Sequence, residues 1–146
     1  MTLGIDQAVC NSFKSQLLDG DHDFSASGGD TFKLALYTSA ATLNATTTVY
    51  TSTNEVSPTG TYSTGGGVLT GQTVSLDGSV GIVDFADLSF TGVTLSALGA
   101  VIYNTSFGNN AAVCVLDFGA VKTATSGTFT ILFPAFTSSA AILRIA

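Results

Sequence analysis

The 146 residues carry a formal charge of −6, with ten acidic side chains against four basic ones; only 10% of the residues are charged, while 45% are hydrophobic. The four cations, Lys14, Lys33, Lys122 and Arg144, form no basic patch to neutralise phosphates, which argues against direct contact with nucleic acid or an anionic membrane. By the scaling of surface with mass, 14.8 kDa folds to roughly 7,000 Å² and hides about two thirds of the unfolded surface, enough for one core.

The chain is therefore read as a single domain over 1–146. Its cover is Thr, Ser, Asn and Gly rather than charge, a surface that meets a neighbour without the cost of desolvating ions. Met1-Thr2-Leu3-Gly4-Ile5-Asp6 has neither the cations nor the apolar run of a secretion signal. No window approaches the 18 to 20 apolar residues of a membrane span, so the expectation is a soluble chain made in the cytoplasm.

Along the chain, Ile5, Ala8, Val9, Phe13 and Leu17 draw one stripe and predict an amphipathic N-terminal helix over about 4–18. Asp6 lies in its first turn, and Asp19-Gly20-Asp21 ends it. Phe32, Leu34 and Leu36 then alternate with Lys33, Ala35 and Tyr37, predicting a half-buried strand over 31–38. The stretch 39–67, rich in Thr, Ser, Asn, Ala and Gly and holding Pro58, is read as a long interaction loop, with a short helical turn over 43–50. Gly65-Gly66-Gly67 demands a flexible or strongly turned backbone.

Strands follow at 67–76, 80–90, 98–105, 111–118, 127–134 and 139–145, separated by Asp77-Gly78, Gly108-Asn109-Asn110 and Ser126-Gly127, whose residue types accept positive φ. Phe129, Ile131 and Phe133 form one apolar face closing at Pro134. One helix followed by strands without a βαβ rhythm predicts a mainly β fold, a β-sandwich with jelly roll-like connections.

No constellation assigns a catalytic, cofactor-binding or metal-ligating residue. Asp19, Asp21, Asp23 and Asp30 have the acidic spacing of a calcium loop, but Phe24 stands where that loop needs Gly and Asp30 where it favours Glu; a helix-ending polar connection is the preferred reading. His22, the single histidine, is placed in that same loop, and no GxSxG elbow accompanies it. Cys10 and Cys114 lack CxxC or Cys/His spacing and are read as buried free thiols. Asp84, Asp87 and Asp117 are read as strand-end or turn carboxylates rather than a glycosidase pair. Gly65–Gly67 lacks the Gly-Lys-Ser/Thr of a phosphate cradle, and the sequons at Asn44 and Asn104 are read as chance matches. Phe32, Phe85, Phe90, Phe118, Phe129 and Phe133 are assigned to the core; Tyr37, Tyr50, Tyr62 and Tyr103 are the side chains that could line a sugar groove.

Taken in order, Val9-Cys10-Asn11-Ser12-Phe13-Lys14, the run from Gly29 to Thr38, Thr53-Asn54-Glu55-Val56, Tyr62-Ser63-Thr64-Gly65-Gly66, Asp84-Phe85-Ala86-Asp87 and Val101-Ile102-Tyr103-Asn104 resemble small virion structural proteins of tailed bacteriophages over nearly the whole chain. The resemblance implies a capsid decoration, or cement, protein made in the host cytoplasm and bound to the outside of the virion shell. Its implied partners are the major capsid protein and copies of itself in a homotrimer, with no enzyme activity and no cofactor. Residues 39–67 and the N-terminal helix are the segments expected to touch neighbours. The alternatives within the same particle are a tail or adaptor-ring protein and a host glycan-binding module.

Overall fold

The computed structural model describes residues 4–146. The chain is mainly β, with strands β1 (Ala8–Val9), β2 (Phe32–Tyr37), β3 (Gly67–Val68), β4 (Thr73–Asp77), β5 (Val80–Asp84), β6 (Leu88–Asn104), β7 (Ala111–Ile131) and β8 (Leu143–Ile145), and with one helix, α1 (Asn11–Leu18), between β1 and β2. Two antiparallel sheets result, one of five strands in the order β1-β7-β6-β2-β3 and one of three in the order β4-β5-β8.

The spine is the β6–β7 hairpin, where the expected strands at 98–105 and 111–118 prove to be halves of much longer ones. Gly92, Gly119 and Ser126 do take positive φ, as turn formers should, yet they turn no corner. They serve as bulges: the β6–β7 register shifts between Phe90 and Val93, Val93 and Leu95, and Ala97 and Gly99. Ser126, expected to begin a hairpin turn, instead donates its N–H to Thr94 Oγ1 inside the ribbon. The same chemistry that reverses a chain also absorbs an extra residue in a ladder, and composition alone does not separate the two.

The N-terminal helix is shorter than its stripe. Instead of turning helically, 4–10 satisfy their backbone on neighbours: Asp6 N–H reaches Leu43 O, Leu43 N–H reaches Gly4 O, β1 pairs with Val115 and Cys114, and Cys10 N–H donates to Val113 O. Ile5 and Cys10 are buried by these contacts, so the apolar spacing that suggested a helix is met by extended chain. Residues 43–50 form a turn in which Thr47 N–H bonds Asn44 O, not the expected helical turn, and Asn44 Oδ1 accepts from Thr46 N–H. The expected strands at 67–76 and 139–145 shrink to β3 plus β4 and to β8, and 127–134 ends at Ile131.

Expected to be half-buried, β2 is buried on both faces, with Ala35 and Tyr37 as inaccessible as Phe32, Leu34 and Leu36. On one face, rings gather: Phe32 stacks on Phe24 at 4.4 Å with planes 6° apart, and Phe85 packs on both. The other face meets the 39–67 segment through Tyr37 Oη, which donates to Thr51 O, while along the edge of β2 Val56 N–H bonds Leu36 O and Glu55 bridges to Tyr37. Ala41, Leu43, Val56 and Tyr62 of that segment are core residues. The accessible surface of 7077 Å² equals what the mass predicts for a compact monomer. A segment of this length lying free as an arm would raise that figure; its apolar positions account for why it folds back.

Candidate functional site

The four tyrosines come together, but inside the molecule. Tyr37, Tyr62 and Tyr103 are buried, and Tyr50, the partly exposed member, stacks on Tyr103 at 4.7 Å. Their organiser is Glu55, the one glutamate of the chain. One carboxylate oxygen accepts from Tyr50 Oη, and the other accepts from Tyr62 Oη at 2.7 Å and Gly65 N–H at 2.8 Å. Tyr62 Oη in turn accepts Leu36 N–H at 2.8 Å, while Tyr37 Oη donates to Thr51 O and Tyr103 Oη to Gly65 O.

Burial, with Glu55 adding its negative charge, pushes Tyr103 up to about 12 and raises Tyr37, Tyr50 and Tyr62 well above the ordinary tyrosine value. These hydroxyls are spent on tying the 39–67 segment to β2 and β6. They do not form the exposed sugar platform weighed from sequence. The glycine triplet is equally committed. Gly65 N–H is held by the Glu55 carboxylate rather than free for a phosphate, and a Cβ on Gly66 would lie 1.8 Å from Leu34 O, so the chain passes there only as glycine.

A second polar anchor closes the loop after α1. His22, expected in an open acidic loop, is buried between the rings of Phe13 (4.8 Å) and Phe107 (5.3 Å). Its Nε2 meets Gln16 Oε1 at 2.9 Å and its Nδ1 meets Asn104 Nδ2 at 3.0 Å, so the tautomer that satisfies both carries its proton on Nε2. Burial holds the imidazole below its usual value against the opposing pull of Asp30 and Asp21. Asp30 also accepts from Asn104 Nδ2 at 2.7 Å and Asp23 N–H at 2.9 Å. Asp23 accepts Ser25 N–H. The acidic string thus braces a turn, and among the described residues no group of three or more His, Cys, Asp or Glu side chains is placed to hold a metal ion. Asn104, wholly buried, offers no amide for glycosylation in the folded chain.

The remaining candidate carboxylates sit at different places in the fold. Asp87 accepts Phe133 N–H, Asp117 accepts Gly119 N–H, and Asp84 ends β5. Cys10 and Cys114 are free and buried, and burial pushes their thiols up to about 11 and about 12, far from the depressed values of reactive cysteines. Sequence reasoning gave Glu55 and Gln16 no role and noted Asn104 only as a sequon. For Glu55 a signal existed: it is the only carboxylate between Asp30 and Asp77, and the only charged residue of the long 39–67 segment.

What the surface presents is apolar rather than reactive. Between α1 and the three-stranded sheet lies an open groove of about 830 Å³, lined by Leu17, Leu18, Val74, Val83, Leu143 and Ile145. Leu18, Val74, Leu76 and Ile145 are large hydrophobic side chains left exposed. Among the described residues no helix is long and apolar enough to cross a membrane. No family model, curated protein or solved structure matches the chain.

Proposed function

We propose that this chain is a structural building block of a bacteriophage virion, a capsid decoration protein that stabilises the shell by packing against the major capsid protein and against copies of itself. One contrast carries the reading. The side chains with reactive chemistry, the four tyrosines, His22 and both cysteines, are turned inward onto structural tasks, while large apolar side chains face outward on a surface of low charge. Recognition by such a surface proceeds through buried area and shape, and the resemblance to small tailed-phage virion proteins supplies the particle. In this reading the two antiparallel sheets are the layers of a β-sandwich sharing one core.

Because the 39–67 segment is stapled to β2 and β6, the proposed contacts shift from that segment to the α1 and three-stranded-sheet side of the molecule. The inward turn of the tyrosines removes the feature on which the glycan-binding alternative rested. Quantitative mass spectrometry of purified particles gives the copy number of this chain relative to the major capsid protein. A ratio near one, or a simple fraction of it, supports the shell-wide role. A few per cent moves the chain to the tail or adaptor ring, and complete absence defeats the particle reading.

A further inference from the structure

We propose that β4 is a self-pairing edge, through which two copies of this chain join their three-stranded sheets about a twofold axis at Ser75. β4 stands at the end of the order β4-β5-β8, and all five of its residues are exposed. An edge like this is a template for another strand unless charge, proline or a bulge blunts it. Thr73-Val74-Ser75-Leu76-Asp77 has no lysine and no proline, and its ladder with β5 runs from Thr73↔Asp84 to Asp77↔Val80 without a shift. The turn between them, Gly78-Ser79, has two residues. Counting from its hydrogen-bonded closing pair, Thr73, Ser75 and Asp77 bond inward to β5, and Val74 and Leu76 point their N–H and C=O groups to the open side.

The self-complementarity follows from this register. With Ser75 on the axis, Val74 lies opposite Leu76 of the partner subunit, and these two outward-bonding residues exchange both hydrogen bonds. Asp77, the one charge of the strand, meets the partner's Thr73 rather than a second carboxylate, whereas an axis through Asp77 would set like charges face to face.

Residues opposite each other across a ladder share a face, so Val74 with Val83 and Leu143, and Leu76 with Gly81 and Ile145, form one side of the sheet. The pairing extends this apolar side without interruption across six strands. Leu18, Leu76, Ile145 and Val74 are 90, 73, 62 and 56% exposed. On side chains of this size that is about 500 Å² of apolar surface, as large as the largest patch on an ordinary monomer. The strand contact itself covers Val74 and Leu76, while Ile145 stands two strands, about 10 Å, behind the β4 edge and Leu18 lies on α1, so both remain on the joined apolar face. An isologous strand contact closes at two copies, so it gives self-association a twofold element where the phage resemblance implies a threefold one.

The contact is made by the purified chain alone and does not depend on the particle reading. Sedimentation equilibrium from about 10 µM to about 1 mM is expected to show a monomer passing into a dimer, and Leu76→Lys to weaken that dimer at least tenfold while leaving the melting temperature near that of the parent. Ser75→Cys, whose Cβ would sit roughly 4.5–5.5 Å from its twofold mate, is expected to form a covalent dimer on mild oxidation much faster than Thr128→Cys on the exposed part of β7. A wild-type chain that stays monomeric over the whole range overturns the proposal. So does a trimer, a Leu76→Lys chain that dimerises like the parent, or a Ser75→Cys chain that cross-links no faster than the control. Should Leu76→Lys fail to fold, the cross-linking rate alone decides.

Discussion

Replacing Glu55 by alanine is expected to loosen the long 39–67 segment. The substitution removes one acceptor from Tyr50 Oη, one from Tyr62 Oη and one from Gly65 N–H. Hydrogen bonds to an ionised group contribute about 1.5–3 kcal/mol each. Tyr50 is partly exposed and recovers water, so its share is small. Tyr62 is buried, and its remaining outlet is Leu36 O at 3.5 Å, a poor substitute. The sum is a loss of about 3–6 kcal/mol, which for a domain of this size lowers the melting temperature by roughly 6–24 °C.

Circular dichroism melts and urea unfolding measure the loss, and hydrogen exchange locates it. Amides of 51–66 should exchange faster while those of the buried β6–β7 centre change only with global stability. Glu55→Gln should fall between the two, since one oxygen still accepts while the new NH2 group faces a donor. A Glu55→Ala chain melting within 2 °C of the parent, with unchanged exchange in 51–66, would refute the assignment of Glu55 as the anchor.

Gly66→Ala places a methyl group on a backbone with φ +81°, against Leu34 O; a loss of about 3–5 kcal/mol or failure to fold is expected. Gly78→Ala, at φ +63° with open space around it, should cost about 1–2 kcal/mol, and the urea midpoints compare the two. On the acid side, burial depresses the folded His22 pKa, so the unfolded chain takes up a proton that the folded chain refuses. Stability therefore falls as pH drops through about 6.5, and His22→Gln should flatten that limb between about pH 7 and 5. On the alkaline side the tyrosine values are raised, so their contribution is intact below about pH 10 and declines as pH climbs towards the folded value of Tyr103, about 12. With no tryptophan in the chain, phenolate absorbance should appear together with loss of the β signal rather than before it.

The antiparallel β class was readable from turn chemistry and alternation, and so was most of the core: Phe32, Phe85, Phe90 and Phe129 are buried, while Phe118 and Phe133 are half-buried against it. Boundaries were misplaced where one residue type serves two geometries. Ser126-Gly127 read as a hairpin turn because positive φ is common to turns and bulges, and only the partner strand decides between them. The N-terminal stripe misled for a related reason. Ile5 packs by bridging to Leu43 and Phe13 by facing inward from α1, so the spacing of apolar residues carried a true message about burial and a false one about conformation. The alternation in β2 marked one buried face but could not reveal the second, because its cover comes from a segment whose polar composition suggested exposure. The anchors Glu55 and Asn104 depend on contacts up to 82 residues distant in sequence, which no local pattern records.

The charge of −6 bears directly on the proposed twofold contact, because two such chains repel. For compact bodies of this size the centres stand about 30 Å apart, and unscreened repulsion in water would be about 5 kcal/mol. Ionic screening with a Debye length of about 30 Å at 0.01 M leaves roughly 2 kcal/mol, and one of about 8 Å at 0.15 M leaves about 0.1. The β4 contact has no ion pair of its own to lose, since its one charge faces threonine, and its apolar rows are indifferent to this range of salt. Association should consequently tighten roughly 20- to 30-fold between 0.01 and 0.15 M salt, whereas a contact driven by opposite charges would weaken. Sedimentation at the two ionic strengths separates these cases. Weakening by added salt would mean that the copies meet through charged side chains elsewhere on the surface, and that the bare edge of β4 is not where they join.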